Sequence, residues 1–241
     1  MSDKIVPVDW ESLSGDAVRS LPLAGRWNGL QPGSIHATYM PQGAVLPPPS
    51  EAGLDRMLCV LEGEITAETE SGLVKVGASN GIYLPAGAPR TAVATAGPMR
   101  LLEVCVPAGG AATAVLGKPD LNGFGQGTEF DYRWLLNRDA GVSSMALNYL
   151  HVPPGKGGPE LHVHAFDQFY YVVDGRMSLQ IGLAEYTVGP DTFVFLPEGV
   201  IHRQWNEQDE AERHYSVLLP EPAKGAVFDY PVTLGEGIRL P

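Results

Sequence analysis

His162 and His164 stand one residue apart, and a third imidazole follows at His202 within Pro197-Glu-Gly-Val-Ile-His202-Arg-Gln-Trp-Asn206. Along an extended strand alternate side chains share a face, so His162 and His164 present their rings together. A third ring arriving from a later strand completes a facial set of nitrogen donors, which suits a divalent transition metal. Half of the chain's six histidines fall in this pattern.

The elements that must position these rings emerge when the chain is slid along itself. An offset of 112 residues aligns Pro41 with Pro153, Pro47 with Pro159, Asp55 with Asp167, and Gly63 with Gly175. It also aligns Leu84-Pro85-x-Gly87 with Leu196-Pro197-x-Gly199. With one further residue, Arg100 to Pro107 matches Arg213 to Pro220. A period this long signals two copies of one domain rather than a solenoid of short units. Each copy reads as short strands cut by Gly/Pro turns. Met57-Leu-Cys-Val-Leu61 and Phe169-Tyr-Tyr-Val-Val173 are rich in strand formers, and each runs into an acidic residue and a glycine, Glu62-Gly63 or Asp174-Gly175, a hairpin signal. Many strands with evenly spaced turns imply a sandwich or barrel. The glycine-rich stretch between Pro107 and Gly127 is the natural join, which divides the chain into units 1–115 and 116–241. Residues before about 30 are expected to be arms or edge strands packed on the barrels.

Composition narrows the partners. A formal charge of −12 with scattered basic residues disfavours nucleic acid and anionic membrane. No apolar run approaches the ~20 residues of a bilayer span, and Met-Ser-Asp-Lys-Ile-Val-Pro-Val-Asp-Trp lacks the apolar core of a signal peptide. A cytoplasmic location is the resulting expectation. Cys59 and Cys105 lie in apolar strand-like runs and read as buried, reduced thiols.

His162-x-His164-(three residues)-Gln168-(six residues)-Gly175, followed by Pro197-x-Gly199-(two residues)-His202-(three residues)-Asn206, closely resembles the two signature motifs of the cupin superfamily, G-x5-H-x-H-x3/4-E-x6-G and G-x5-P-x-G-x2-H-x3-N. The repeat makes the chain similar to a bicupin. The resemblance implies an all-β protein of two tandem jelly-roll barrels with few short helices, holding any metal inside the barrel. It is specific for fold and metal site and uninformative about the reaction. The leading glycines depart from the pattern: Gly157 lies one residue too close to His162, and Gly189 two too far from Pro197. More consequentially, the ligand position usually held by glutamate is Gln168. An amide oxygen can still coordinate, but it is neutral. Three imidazoles and an amide leave a divalent ion its full charge, making it a stronger Lewis acid that favours an anionic substrate: an enolate, a carboxylate or a catecholate. Gln168 either ligates the ion or hydrogen-bonds a bound water or substrate. Iron(II) is the preferred metal, since an open facial histidine site suits oxygen chemistry, with manganese, nickel and zinc left open.

In the first copy the ligand positions carry Ser50, Ala52, Arg56 and Arg90. Arginines repel a cation, so this copy is expected to hold no metal. Arg56 either pairs internally, with Glu103 the nearest acidic candidate, or joins Arg90 in clamping an anion. Around the second site, alternation places Tyr170 and Val172 beside Gln168 on the inner face, and Gln204 and Asn206 beside His202, with Trp205 on the opposite face. Tyr170 and His151 are the candidate proton-moving residues. Tyr149 and Tyr215 lie nearby in the repeat, and Phe193 and Phe195 flank either cavity or core.

Three functions fit. The first is an Fe(II) dioxygenase of a small aromatic or enolisable anion. The second is a metal-dependent isomerase, decarboxylase, hydrolase or lyase in which Tyr170 or His151 moves a proton. The third is a small-ligand-binding protein without catalysis. A homodimer is a further expectation, since cupin barrels often pair through sheet edges.

Overall fold

The computed structural model describes residues 3–30, 33–48, 53–87, 92–94 and 97–234, and it is nearly all β. The α-helix among the described residues, Trp10–Leu13, is a single turn capped by the Asp9 carboxylate. Among the described residues no helix is long and apolar enough to cross a membrane.

The described strands form four sheets, two for each half of the repeat. The larger sheet of the second half runs Ile5–Pro7, Thr192–Leu196, Asp167–Asp174, Glu212–Leu219, Ala146–Val152, Asp131–Leu136. Its counterpart runs Val115–Gly117, Gly81–Leu84, Leu54–Glu62, Met99–Pro107, Ser34–Met40, Arg19–Ala24. The two orders correspond strand for strand. The edge strands are exchanged: Ile5–Pro7, from the start of the chain, pairs antiparallel with Thr192–Leu196, while Val115–Gly117 pairs with Gly81–Leu84. Each half thus covers an open edge of the other's sheet, removing a row of unpaired backbone groups. Strand pairing therefore crosses the division at residue 115 suggested by the glycine-rich join.

Facing each large sheet is a smaller one. In the second half it runs Ala184–Val188, Met177–Ile181, His202–Trp205, His162–Val163, Tyr230–Pro231. The hairpin glycines take the conformation that the acidic-Gly signal requires. Gly63 and Gly175 have φ of 85° and 71°, and a Cβ on Gly175 would lie 2.4 Å from the Ala211 carbonyl oxygen, so only glycine fits without backbone movement.

The largest core lies between the two big sheets. Phe169, Tyr171, Phe193, Phe195, Tyr149 and Tyr215 meet Met57, Cys59, Leu102 and Val104 there, all buried. Phe193 and Phe195 belong to this core and not to a cavity wall. Trp10 seals one end, its indole N–H donating to Tyr171 Oη (2.9 Å) and Asp191 (3.1 Å). Cys59 and Cys105 are free and buried, as expected, and burial pushes the Cys59 thiol pKa up.

Arg90, Ser50 and Ala52 lie outside the described residues. Arg56 is 1% exposed and its Nη2 lies 2.6 Å from Glu103 Oε1. Of the two alternatives that the sequence leaves for this residue, the structure thus shows the internal ion pair. Breaking a buried pair by removing one partner strands a charge and costs about 3 kcal/mol or more, whereas replacing both partners by apolar groups is often neutral. Glu103→Ala should therefore destabilise the protein by about that amount in urea unfolding. The double variant Arg56→Met/Glu103→Leu should recover most of the loss. Equal losses in both would show that the pair is not what stabilises this half.

Candidate metal centre

His162 and His164 lie on and just past the two-residue strand His162–Val163, and His202 opens the neighbouring strand His202–Trp205, with His162 directly opposite His202 in the register. This register brings His162 and His202 together, and His164, two residues on, joins them. Their centroids are 4.4 to 4.8 Å apart. One ligand atom from each lies within 4.8 Å of the others, and all three residues are buried.

The tautomers follow from the hydrogen bonds. His162 Nδ1 lies 2.7 Å from the Glu160 carbonyl oxygen, His202 Nδ1 2.9 Å from that of Val200, and His164 Nδ1 2.9 Å from that of Phe228. A carbonyl only accepts, so each Nδ1 carries the proton and donates. Each Nε2 is left with a lone pair. His202 Nε2 is buried and has no hydrogen-bond partner. One nitrogen of each ring lies within 4.8 Å of the others in a buried space, where a divalent cation would bind. The Nδ1–carbonyl bonds are the outer-shell arrangement by which proteins orient metal-binding imidazoles, and the donor set fits a divalent transition ion.

Gln168 is buried on the adjacent strand Asp167–Asp174. Its Nε2 donates to Ser216 Oγ (3.0 Å), and its Oε1 accepts from Tyr170 Oη (3.3 Å). The amide is therefore oriented with its nitrogen on Ser216 and its oxygen on Tyr170. Gln168 and Ser216 occupy the repeat positions that Arg56 and Glu103 occupy in the first half. One half carries an ion pair where the other carries a neutral amide–hydroxyl pair.

His162 and His164 open on a cavity of about 400 Å³. Tyr132, Trp134, Phe130 and Phe228 form its aromatic wall, and Asn148, Gln168, Gln204 and Ser216 its neutral polar groups. Tyr170 lines it as expected, but burial pushes its phenol pKa well up. It stays protonated and serves as a hydrogen-bond donor. Val172 lies in the apolar barrel interior with Met177 and Leu179. Asn206 is buried but structural, donating to the Val152 (2.9 Å) and Glu210 (2.7 Å) carbonyls. Trp205 faces away and carries the Arg203 guanidinium 4.5 Å from its ring centroid.

The structure does not bring His151 to this site. Along Ala146–Val152 it is Asn148 and Leu150 that line the cavity. His151 takes the opposite phase with Tyr149, its ring edge-on to Phe124 at 5.9 Å.

One residue of the site is not foreshadowed by the sequence motifs. Asp229 lines the cavity, its Oδ1 3.6 Å from His162 Nε2 and 3.6 Å from His164 Nδ1. It arrives on a C-terminal strap whose last strand, Tyr230–Pro231, pairs with His162–Val163. No motif or period marks it. The one signal in the sequence is an acidic residue inside an aromatic run, Phe228-Asp229-Tyr230.

With this geometry in hand, residues 148–217 match the family model described as Cupin domain. No curated protein matches the chain. Among solved structures it is similar to a cupin 2 conserved barrel domain protein from Leptotrichia buccalis, at 14% identity and a TM-score of 0.66, covering 89% of this chain and 96% of that one. It is also similar to Lactobacillus farciminis oxalate decarboxylase in a formate complex (11% identity, TM-score 0.63, 90% and 84% covered). A third is a variant of the salicylate 1,2-dioxygenase from Pseudoaminobacter salicylatoxidans (10% identity, TM-score 0.61, 78% and 71% covered). At these identities the likeness establishes the fold, which is that of the cupins.

The buried histidines make stability depend on pH. Burial drives the His202 pKa from 6.5 down to about 3, opposed by the Val200 carbonyl and reinforced by His162 and His164. Burial lowers His164 too, against the opposing Phe228 carbonyl. In the unfolded chain these rings take up protons as pH falls below about 6.5, while the folded protein excludes them. The unfolded state then binds more protons, so stability is full above pH 6.5 and is lost as pH falls towards 3. Urea unfolding of chelator-stripped protein should show this loss, and His202→Gln should flatten it. A variant that keeps the full pH dependence would mean that His202 is protonated when folded.

Proposed function

We propose that the protein is a tandem-barrel cupin enzyme that binds one divalent ion on His162, His164 and His202 in its second barrel and acts there on a small organic anion. The ion is iron(II) by preference, and the reaction is dioxygenation of an aromatic or enolisable substrate. The observation that carries this reading is the gathering of three buried imidazoles, each tied through Nδ1 to a backbone carbonyl, beside a cavity of about 400 Å³ that His162 and His164 line. Iron(II) held by His162, His164 and His202 would supply the redox chemistry that dioxygenation requires.

The chain's own groups suit such a substrate. Tyr132, Trp134 and Phe228 offer ring faces for a planar molecule. Gln204 and Asn148 offer amide donors, and Tyr170, neutral through burial, holds Gln168 by a hydrogen bond to its oxygen. None of the described residues lining the cavity is Lys or Arg, so a bound anion depends on the ion for its counter-charge. The similarity in fold to a salicylate dioxygenase supports the reading.

A non-oxidative reaction is the second reading, favoured by the similarity to an oxalate decarboxylase and by Asp229, a base beside the histidines. Against it, the two residues expected to move protons are a phenol with a raised pKa and a histidine on the other face.

The test is oxygen uptake by iron(II)-loaded protein presented with catechols, 2-hydroxybenzoates and 1,3-diketones. Turnover should need dioxygen, and His202→Ala should lower metal content and uptake together, by about two orders of magnitude. Turnover of any of these compounds under strict anaerobiosis would replace the oxygenase reading by the non-oxidative one.

A further inference from the structure

We propose that Asp229 is the carboxylate ligand of the metal centre, delivered by the C-terminal strap in place of the one missing at Gln168. The proposal rests on the metal-binding reading of the three histidines.

Position is the first support. Asp229 Oδ1 lies 3.6 Å from His162 Nε2 and 3.6 Å from His164 Nδ1. Asp229 is also the sole carboxylate among the described residues lining the cavity, and no Lys or Arg among them serves as counter-charge. A carboxylate and three imidazoles gathered in one place make a mixed N/O donor set that one divalent ion can satisfy together.

The way the strap is tied down is the second support. On one side of Asp229, the Phe228 carbonyl accepts from His164 Nδ1, and the Phe228 ring packs edge-on against Phe166 at 5.5 Å. On the other side, Tyr230 and Pro231 pair with Val163 and His162, and Val232 N donates to the Leu161 carbonyl (2.8 Å). Further back, Arg138 Nη2 donates to the Glu221 carbonyl (2.8 Å). Asp229 is thus bracketed by bonds to the strand that carries two of the ligands, so strap and histidines keep a fixed relation.

The charge of the site follows. With Asp229 bound, a divalent ion retains one positive charge in place of two, and a monoanionic chelating substrate neutralises it.

The test titrates cobalt(II) and manganese(II) into chelator-stripped wild type, Asp229→Asn and Gln168→Ala, in competition with a chromophoric chelator. The visible absorption of the cobalt form is recorded alongside. Asp229→Asn keeps the shape and removes the charge. It should weaken binding about tenfold or more and alter the cobalt spectrum, while the stripped variant melts at the wild-type temperature. Asp229→Glu should restore part of the affinity. Wild-type affinity and spectrum in Asp229→Asn would overturn the assignment and leave the histidine site standing. A lowered melting temperature of the stripped variant would overturn it too, by making the residue a fastener of the strap. Failure of the wild type to take up either ion would bring down the histidine site and this proposal together.

Discussion

Three N–H groups bonded to three carbonyls hold the candidate metal centre together. Each Nδ1–H···O=C bond fixes the plane of one buried imidazole. A buried polar atom without a partner, such as His202 Nε2, costs free energy. The fold holds this arrangement because the strands bearing His162 and His202 are directly paired, and two of the carbonyls lie two residues before their own histidine. Glu160 and Val200 thus set their rings through local chain geometry. His164 differs: its carbonyl belongs to Phe228, sixty-four residues away on the strap. The site is complete only when the C-terminal segment is docked, which couples its geometry to the last strand to join the smaller sheet.

The duplicated halves show how one pair of positions can serve opposite ends. Arg56 and Glu103 fill the first half's interior with charge that neutralises itself. Gln168 and Ser216, at the matching positions, are neutral and leave room for a cation brought by the histidines. A fixed guanidinium there would exclude a metal by Coulomb repulsion in a medium of low dielectric constant. The first half nonetheless has a structural role. Its large sheet forms one wall of the central core, and it lends Ile5–Pro7 to the edge of the sheet that carries Gln168. Tyr171, which is bonded to Trp10 and Asp191, lies on the same strand as Gln168 and Tyr170 with its ring in the core between the halves. Packing between the halves therefore backs the sheet behind the candidate metal site.

What the sequence makes legible is what repeats or alternates. The offset of 112 residues anticipates the matching strand orders, and the two-residue period puts Gln168 and Tyr170 on the cavity face and Trp205 on the other. Alternation fails where both faces of a strand are mixed. Ala146–Val152 carries Asn148 and Leu150 on one side and Tyr149 and His151 on the other. Residue type alone gives no phase there, and the expectation that His151 reaches the cavity fails for that reason. Phe193 and Phe195 are ambiguous because both faces of their strand are buried. Asp229 is invisible for a different reason. Its place depends on strap pairing across more than sixty residues, with no counterpart in the first half to mark the position. The exchange of edge strands is likewise a non-local pairing that no local pattern encodes.

The cavity's composition explains why selectivity should reside with the ion. Its wall is aromatic rings and neutral amides, with Tyr170 held neutral by burial and a single carboxylate as the fixed charge among its described lining residues. Such a pocket, taken without a cation, repels anions, because Asp229 opposes them and no basic side chain of that lining offsets it. A divalent ion on the histidines would reverse the sign of the field at close range, and its field would fall off quickly towards the mouth, where the chain's overall charge of −12 opposes it. An anion therefore gains by entering only if it can place its charged oxygen against the ion itself. Planar anions with the charge at one edge and a ring behind satisfy both requirements, oxygen to metal and ring to Trp134 and Phe228. Anions with charge at both ends bury the second charge against the aromatic wall without a partner, a cost that no residue of the wall can offset.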